Sequence, residues 1–155
     1  MGFSAVNPLK PALHAACAAF LAARVAAATT AMQAAQESAN SDTKSSAGDK
    51  YETGREMATA ERDRHAAQLH QARQLQAELA RISPDAPCDT VRPGALAHTT
   101  LGWFYVAISA GALEVAGQTY FAVSAAAPVA LALRGKRVGE EAVFNGKPVR
   151  VLAVS

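Results

Sequence analysis

Residues 9–36 hold thirteen alanines and no glycine, and this stretch constrains the fold more than any other. Alanine has the highest helix propensity, so the run predicts a helix that opens near Pro8 and Pro11 and continues to about Glu37. Leu13, Cys17, Phe20, Ala28, Met32 and Ala35 recur at threes and fours and mark one stripe, widened by Leu21, with Arg24 inside it. A second helix is expected from Asp49 or Tyr51 to near Ile82. Ser83-Pro84 stops it, because proline disfavours helical geometry in the residue before it. Met57, Ala60, Ala67, Leu75, Leu79 and Ile82 supply its apolar side, interleaved with charged residues. Neither helix is stable without a buried face, and the short connection predicts an antiparallel pair. About 28 residues of helix reach roughly 40 Å, more than a compact domain of this size needs. The pair therefore reads as a finger with residues 40–50 at its tip.

The tip is chemically distinct. The stretch NSDTKSSAGDKYETGRE, residues 40–56, concentrates Asp42, Lys44, Asp49, Lys50, Glu52, Arg55 and Glu56 with hydroxyls and two glycines. Asp49 and Glu52 stand three apart and share a face if the helix has begun, and Asp42 can approach across the loop. Such carboxylates suit a magnesium ion, which keeps several waters and needs only one or two added acidic ligands. The plainer reading is that Asp49, Ser45 or Ser46 caps the second helix. Lys44, Lys50 and Arg55 offer contacts to an acidic partner, Arg55 through a bidentate guanidinium or, alternatively, an intrahelical pair with Glu52. Tyr51 is expected either to pack across the tip or to touch a partner.

Composition narrows the alternatives. Half of the 155 residues are hydrophobic and 18% are charged, which argues against wholesale disorder. A formal charge of +2 is too weak to imply nucleic-acid binding without a local patch. Cys17 and Cys88 lie far apart, and the four histidines make no metal-ligand spacing. A reduced, cytoplasmic protein fits best, one disulfide being the alternative. The uninterrupted apolar run Ala15–Ala23 is nine residues, closed by Arg24, whereas a membrane span needs roughly 20. A signal peptide is the competing reading of the N-terminus, and its removal would destroy half of the hairpin.

Residues 84–93, rich in proline, read as a linker. Beyond them LGWFYVAIS, ALEVAG and TYFAVS carry strand signals. PVALALRG predicts a short helix opened by Pro128 and closed by Gly135, and EAVFNGKPVRVLAV a hairpin turning at Asn145-Gly146. Trp103, Phe104, Tyr105, Tyr120, Phe121 and Phe144 are expected in or beside the core, since a small sheet needs large side chains. The fold class is therefore α+β. A long antiparallel helical hairpin, 1–83, and a linker, 84–93, precede a small antiparallel sheet domain with one short helix, 94–155.

The segment APVALALRGKRVGEEAVFNGKPVRVLAV resembles the C-terminal motif of the bacterial Gre transcript-cleavage and elongation factors. Pro128, Val129, Ala132, Leu133, Gly135, Lys136, Val138, Gly139 and Glu140 fit it. Ala127 replaces the usual serine, and Arg134 stands at a position usually apolar. The tip is similar more loosely, through Ser46, Tyr51, Arg55 and Glu56. The resemblance implies an N-terminal coiled coil, an FKBP-like C-terminal docking domain, and insertion of the finger into the secondary channel of RNA polymerase. Family tips carry two acids that help polymerase hold a second magnesium ion; in a gapless alignment these fall on Lys44 and Ala47. A lysine repels that metal and an alanine offers no ligand. The expected function is thus a polymerase-binding elongation regulator, a monomer with no membrane partner, whose tip modulates the active centre. It would not be an enzyme by itself and at most assists RNA hydrolysis by polymerase. Contact with nascent RNA stays open, as does DNA binding, and Lys136 and Arg137 are candidate polymerase contacts. The alternatives are a cleavage stimulator using Asp42, Asp49 and Glu52 with magnesium shared through Asp49 and Glu52, and a hairpin adaptor for a different partner. An FKBP-like fold does not by itself bring prolyl isomerase activity.

Overall fold

A computed structural model of the chain describes residues 8–43 and 49–155, apart from the side chains of 42–43 and 49–51. The chain divides into two units. One is built from the chain up to Phe20 and from Ala77 to Ser155, the other from Leu21 to Gln76.

The second unit consists of two helices, the greater parts of α1 (Leu9–Thr43) and α2 (Asp49–Ala80). Their contact is antiparallel: Arg62 Nη1 donates to Gln36 Oε1 at 2.8 Å, and Arg24 and Ala28 share a cleft with His65 and Ala72. Buried and half-buried positions alternate in steps of four and three, at 21, 25, 28, 32, 35 and 39 on α1 and at 58, 62, 65, 69, 72 and 76 on α2. This seven-residue period is a coiled-coil seam. Much of it is alanine, and Arg62 and Gln76 are half-buried along it.

The seam corrects the apolar side expected for α2. Met57 is 68% exposed, and Ala60 and Ala67 also face solvent. In a helix where most small residues are alanine, apolarity carries little contrast, and the partner helix decides which alanines are covered. Helix α1 also runs six residues past the expected end, to Thr43. By length and composition alone, Leu9–Ser41 is long and apolar enough to cross a membrane, and only 17% of its most apolar stretch is buried.

The first unit holds a six-stranded sheet in the order β3-β4-β2-β1-β6-β5. The strands are β1 (Leu96–Thr99), β2 (Gly102–Ala107), β3 (Gly111–Val115), β4 (Gln118–Ser124), β5 (Glu141–Phe144) and β6 (Lys147–Val154). All neighbours are antiparallel except β2 and β4, which run parallel with Phe104 opposite Phe121. The chain reaches β4 from β2 through β3, which pairs with the far edge of β4. Strand β1 has no alternating signature of its own; it is held between β2 and β6. The β5–β6 turn falls at Asn145-Gly146 as expected, with φ of 52° and 73°, the left-handed pair that a two-residue hairpin requires.

Helix α3 (Pro128–Leu133) covers one sheet face, with Pro128 in its first turn. Phe104, Val106, Val149 and Val151 meet Ala130 and Leu133 there, joined by Val91. Residues 84–93 are pinned to this domain at Val91. Its N–H donates to the Lys136 carbonyl at 3.0 Å, and its carbonyl accepts from Gly135 N–H at 2.8 Å. Tyr105 alternates to the opposite face, where its hydroxyl meets His14 of α1.

Candidate functional site

The start of α2 carries the expected tip residues. Its first turn begins at Asp49 and includes Lys50 and Tyr51, while Asp42 is the penultimate residue of α1. Lys44 and Ser46 lie outside the described residues, as do the side chains of Asp42, Asp49, Lys50 and Tyr51. Glu52 and Arg55 are both exposed. The Glu52–Arg55 ion pair expected as the bland alternative is not formed, and Arg55 has no hydrogen-bond or ion-pair partner among the described residues. A helix of this pitch places Glu56 one turn beyond Glu52, and the two line a shallow cleft of about 590 Å³ with Arg55, Thr59 and Asp63. The spacing of four between Glu52 and Glu56 is the sequence signal that puts them on one face. Asp63 is already committed to Arg62, at 2.7 Å. The surface is thus mixed in charge, suited to directional contacts with a charged partner more than to enclosing a small ligand.

The second candidate region follows α3. Lys136 is half-buried, and its N–H donates to the Leu133 carbonyl at 3.0 Å. Arg137 is exposed and lies 3.7 Å from Asp89, a solvent-facing pair that stabilises by about 0–1 kcal/mol and leaves the guanidinium available. Glu140 accepts from the Arg137 backbone N–H at 2.8 Å, which fixes the turn that carries both cations.

A third grouping, around the start of α1, escaped the sequence reading. Lys10 is 1% exposed, and its ammonium donates to the Ala86 carbonyl at 2.7 Å with Cys88 Sγ at 3.9 Å. His14 Nδ1 and the Tyr105 hydroxyl share a hydrogen bond of 3.0 Å. Lys10, His14 and Cys17 follow one another at four and three, so they lie on the stripe already marked by Leu13. That periodicity was the available signal; the partners, 76 to 91 residues away, were not. Burial pulls the Lys10 ammonium below its ordinary range, opposed by Cys88. Burial also pushes the Cys17 thiol up to about 11 and raises the Tyr105 phenol, with Cys17, Cys88 and Asp85 adding to it. Both cysteines are free. The cluster satisfies its own polar groups and pins the first turn of α1 to the sheet domain.

Burial lowers the His14 imidazole below 6.5, against a raising contribution from Asp85. Between that lowered value and 6.5 the unfolded chain binds a proton that the folded chain refuses. Stability therefore falls as pH drops through this window. Urea titrations at about pH 7.5 and about pH 5.5 should show a smaller acid loss for His14→Gln than for the parent chain. Equal losses would remove His14 from the account.

Among the described residues no three His, Cys, Asp or Glu side chains are grouped to hold a metal ion. No family model and no curated protein matches the chain. Solved structures similar to it at low identity include two described as Gfh1. One is GreA factor homolog 1 (Gfh1) of Thermus thermophilus, 20% identical over 87% of this chain and 92% of that one, with a TM-score of 0.35. The other, described as the transcription factor Gfh1, is 22% identical over 86% and 90% of the two chains, with a TM-score of 0.34.

Proposed function

We propose that the protein is a transcription elongation regulator that docks on RNA polymerase and uses the hairpin end to modulate the active centre through the secondary channel. The observation that carries this reading is the unit Leu21–Gln76, two paired helices and nothing else. A two-helix unit suits contact with a larger partner along its exposed faces. It presents the exposed Glu52 and Arg55 in the opening turns of α2. The Gre-like motif supports the docking role of the sheet domain: Pro128 opens α3, Leu133 is buried, and Lys136 and Arg137 stand on the turn after it.

The cleavage-stimulator reading draws on one further feature, the succession of Asp49 and Glu52 within the first turn of α2. Those two carboxylates would share a magnesium ion with polymerase, which supplies the remaining ligands and the catalysis. Lys44 and Ala47, at the positions where Gre factors carry acids, favour the regulator.

Mixing the purified protein with core polymerase in a stalled, backtracked elongation complex separates the readings. Retention by polymerase without RNA shortening is the expected result, and Arg55→Glu should weaken retention about tenfold, the effect of reversing one directional charge contact. Magnesium-dependent shortening that Asp49→Asn with Glu52→Gln abolishes would establish the stimulator instead. A folded bait that retains no polymerase subunit would assign the hairpin to another partner.

A further inference from the structure

Between residues 90–93, β2 and α3 lies a cleft of about 350 Å³, at the low end of the roughly 300–1,000 Å³ that small-molecule sites occupy. Its lining divides by chemistry. Pro93 and Ala125 give its accessible apolar surface, over the buried Val91, Val106 and Ala130, while Arg92 and Arg134 stand at its margin and no acidic residue lines it. The floor is held in place by the paired backbone bonds of Val91 with Gly135 and Lys136.

The two arginines differ in how they are committed. Arg92 Nη2 donates to the Pro87 carbonyl at 3.2 Å. Arg134 follows α3 directly and has no hydrogen-bond or ion-pair partner among the described residues. An apolar slot bordered by two exposed guanidiniums is complementary to an anion on a short apolar body. Guanidinium forks match the two oxygens of a carboxylate, and the Pro93 and Ala125 side chains exclude water from the rest of the ligand.

We propose that this cleft is a binding site for a small aliphatic carboxylate, its chain on Pro93 and Ala125 above the buried Val106 and Ala130, and its carboxylate between Arg92 and Arg134.

Hexanoate is the probe, titrated into the full-length chain while the methyl resonances of Val106 and Ala130 are followed. Hexylamine, of equal length and opposite charge, is the control. Saturable shifts with hexanoate and none with hexylamine are expected. Arg134→Gln should weaken hexanoate about fivefold, the size of one charge-assisted contact at a partly exposed place. Arg150→Gln, a cation on the exposed side of β6, should leave affinity unchanged. The proposal fails if hexylamine shifts the same methyls, if Arg134→Gln binds as the parent chain does, or if no saturation is reached. Inorganic phosphate competing fully with hexanoate at equal concentration would also overturn it, by reducing the site to an anion contact without an apolar component.

Discussion

Ala72→Asp should unfold the two-helix unit at markedly lower urea than the parent chain, at a cost of about 3 kcal/mol. Ala72 is 4% exposed and sits in the seam beside Ala28. An aspartate there puts a short charged side chain into a contact built for a methyl group, without the reach to bring its carboxylate into water. Uncompensated buried charge costs about 3–5 kcal/mol, and a two-helix unit relieves some of it by separating locally. Ala67→Asp is the informative control, because residue 67 is exposed on the same helix. Both variants lose the same helix propensity, at most about 0.7 kcal/mol, so their difference isolates the seam. Far-ultraviolet circular dichroism through a urea titration reads both. Equal midpoints for the two variants would mean that the seam does not pass through residue 72.

Leu133→Ala should cost about 2–5 kcal/mol in the sheet domain, the range for removing a buried leucine side chain and leaving a cavity. Leu133 is 1% exposed and is the last residue of α3, packed among Phe104, Val106, Val149 and Val151. A six-residue helix has few other anchors, with Ala130 the remaining buried side chain, so the site cannot easily collapse to fill the gap. Leu131→Ala, at a position 54% exposed on the same helix, should change stability by no more than about 0.5 kcal/mol. Trp103 fluorescence reports the transition, since its ring stacks on His98 at 3.9 Å within the sheet. Similar losses in the two variants would place the core of this domain elsewhere.

Legibility of the candidate site follows the range of the interactions involved. Exposure of Glu52 and Arg55 was readable because a charged run at a helix start has no apolar neighbours to bury it. The missing Glu52–Arg55 pair was not readable: the spacing permits it, but such a pair contributes only about 0.2–0.5 kcal/mol and solvent competes for both groups. In the sequence Lys10 is a charge shortly before an apolar run. Its burial against Ala86 and Cys88 depends on a contact across 76 residues of sequence, which no local pattern encodes. The cleft at Arg92 and Arg134 likewise joins two distant segments.

Local chemistry in the sequence determined the two long helices, the stop before Pro84, the short helix between Pro128 and Gly135, and the hairpin at Asn145-Gly146. Each depends on backbone preferences that act over a few residues. Tertiary structure alone decided which alanines form the seam, that β1 is a strand, and that β2 and β4 run parallel. It also decided that Lys10 is buried. Those outcomes depend on which surfaces meet, and an alanine or a lysine has no intrinsic side until a partner surface covers it.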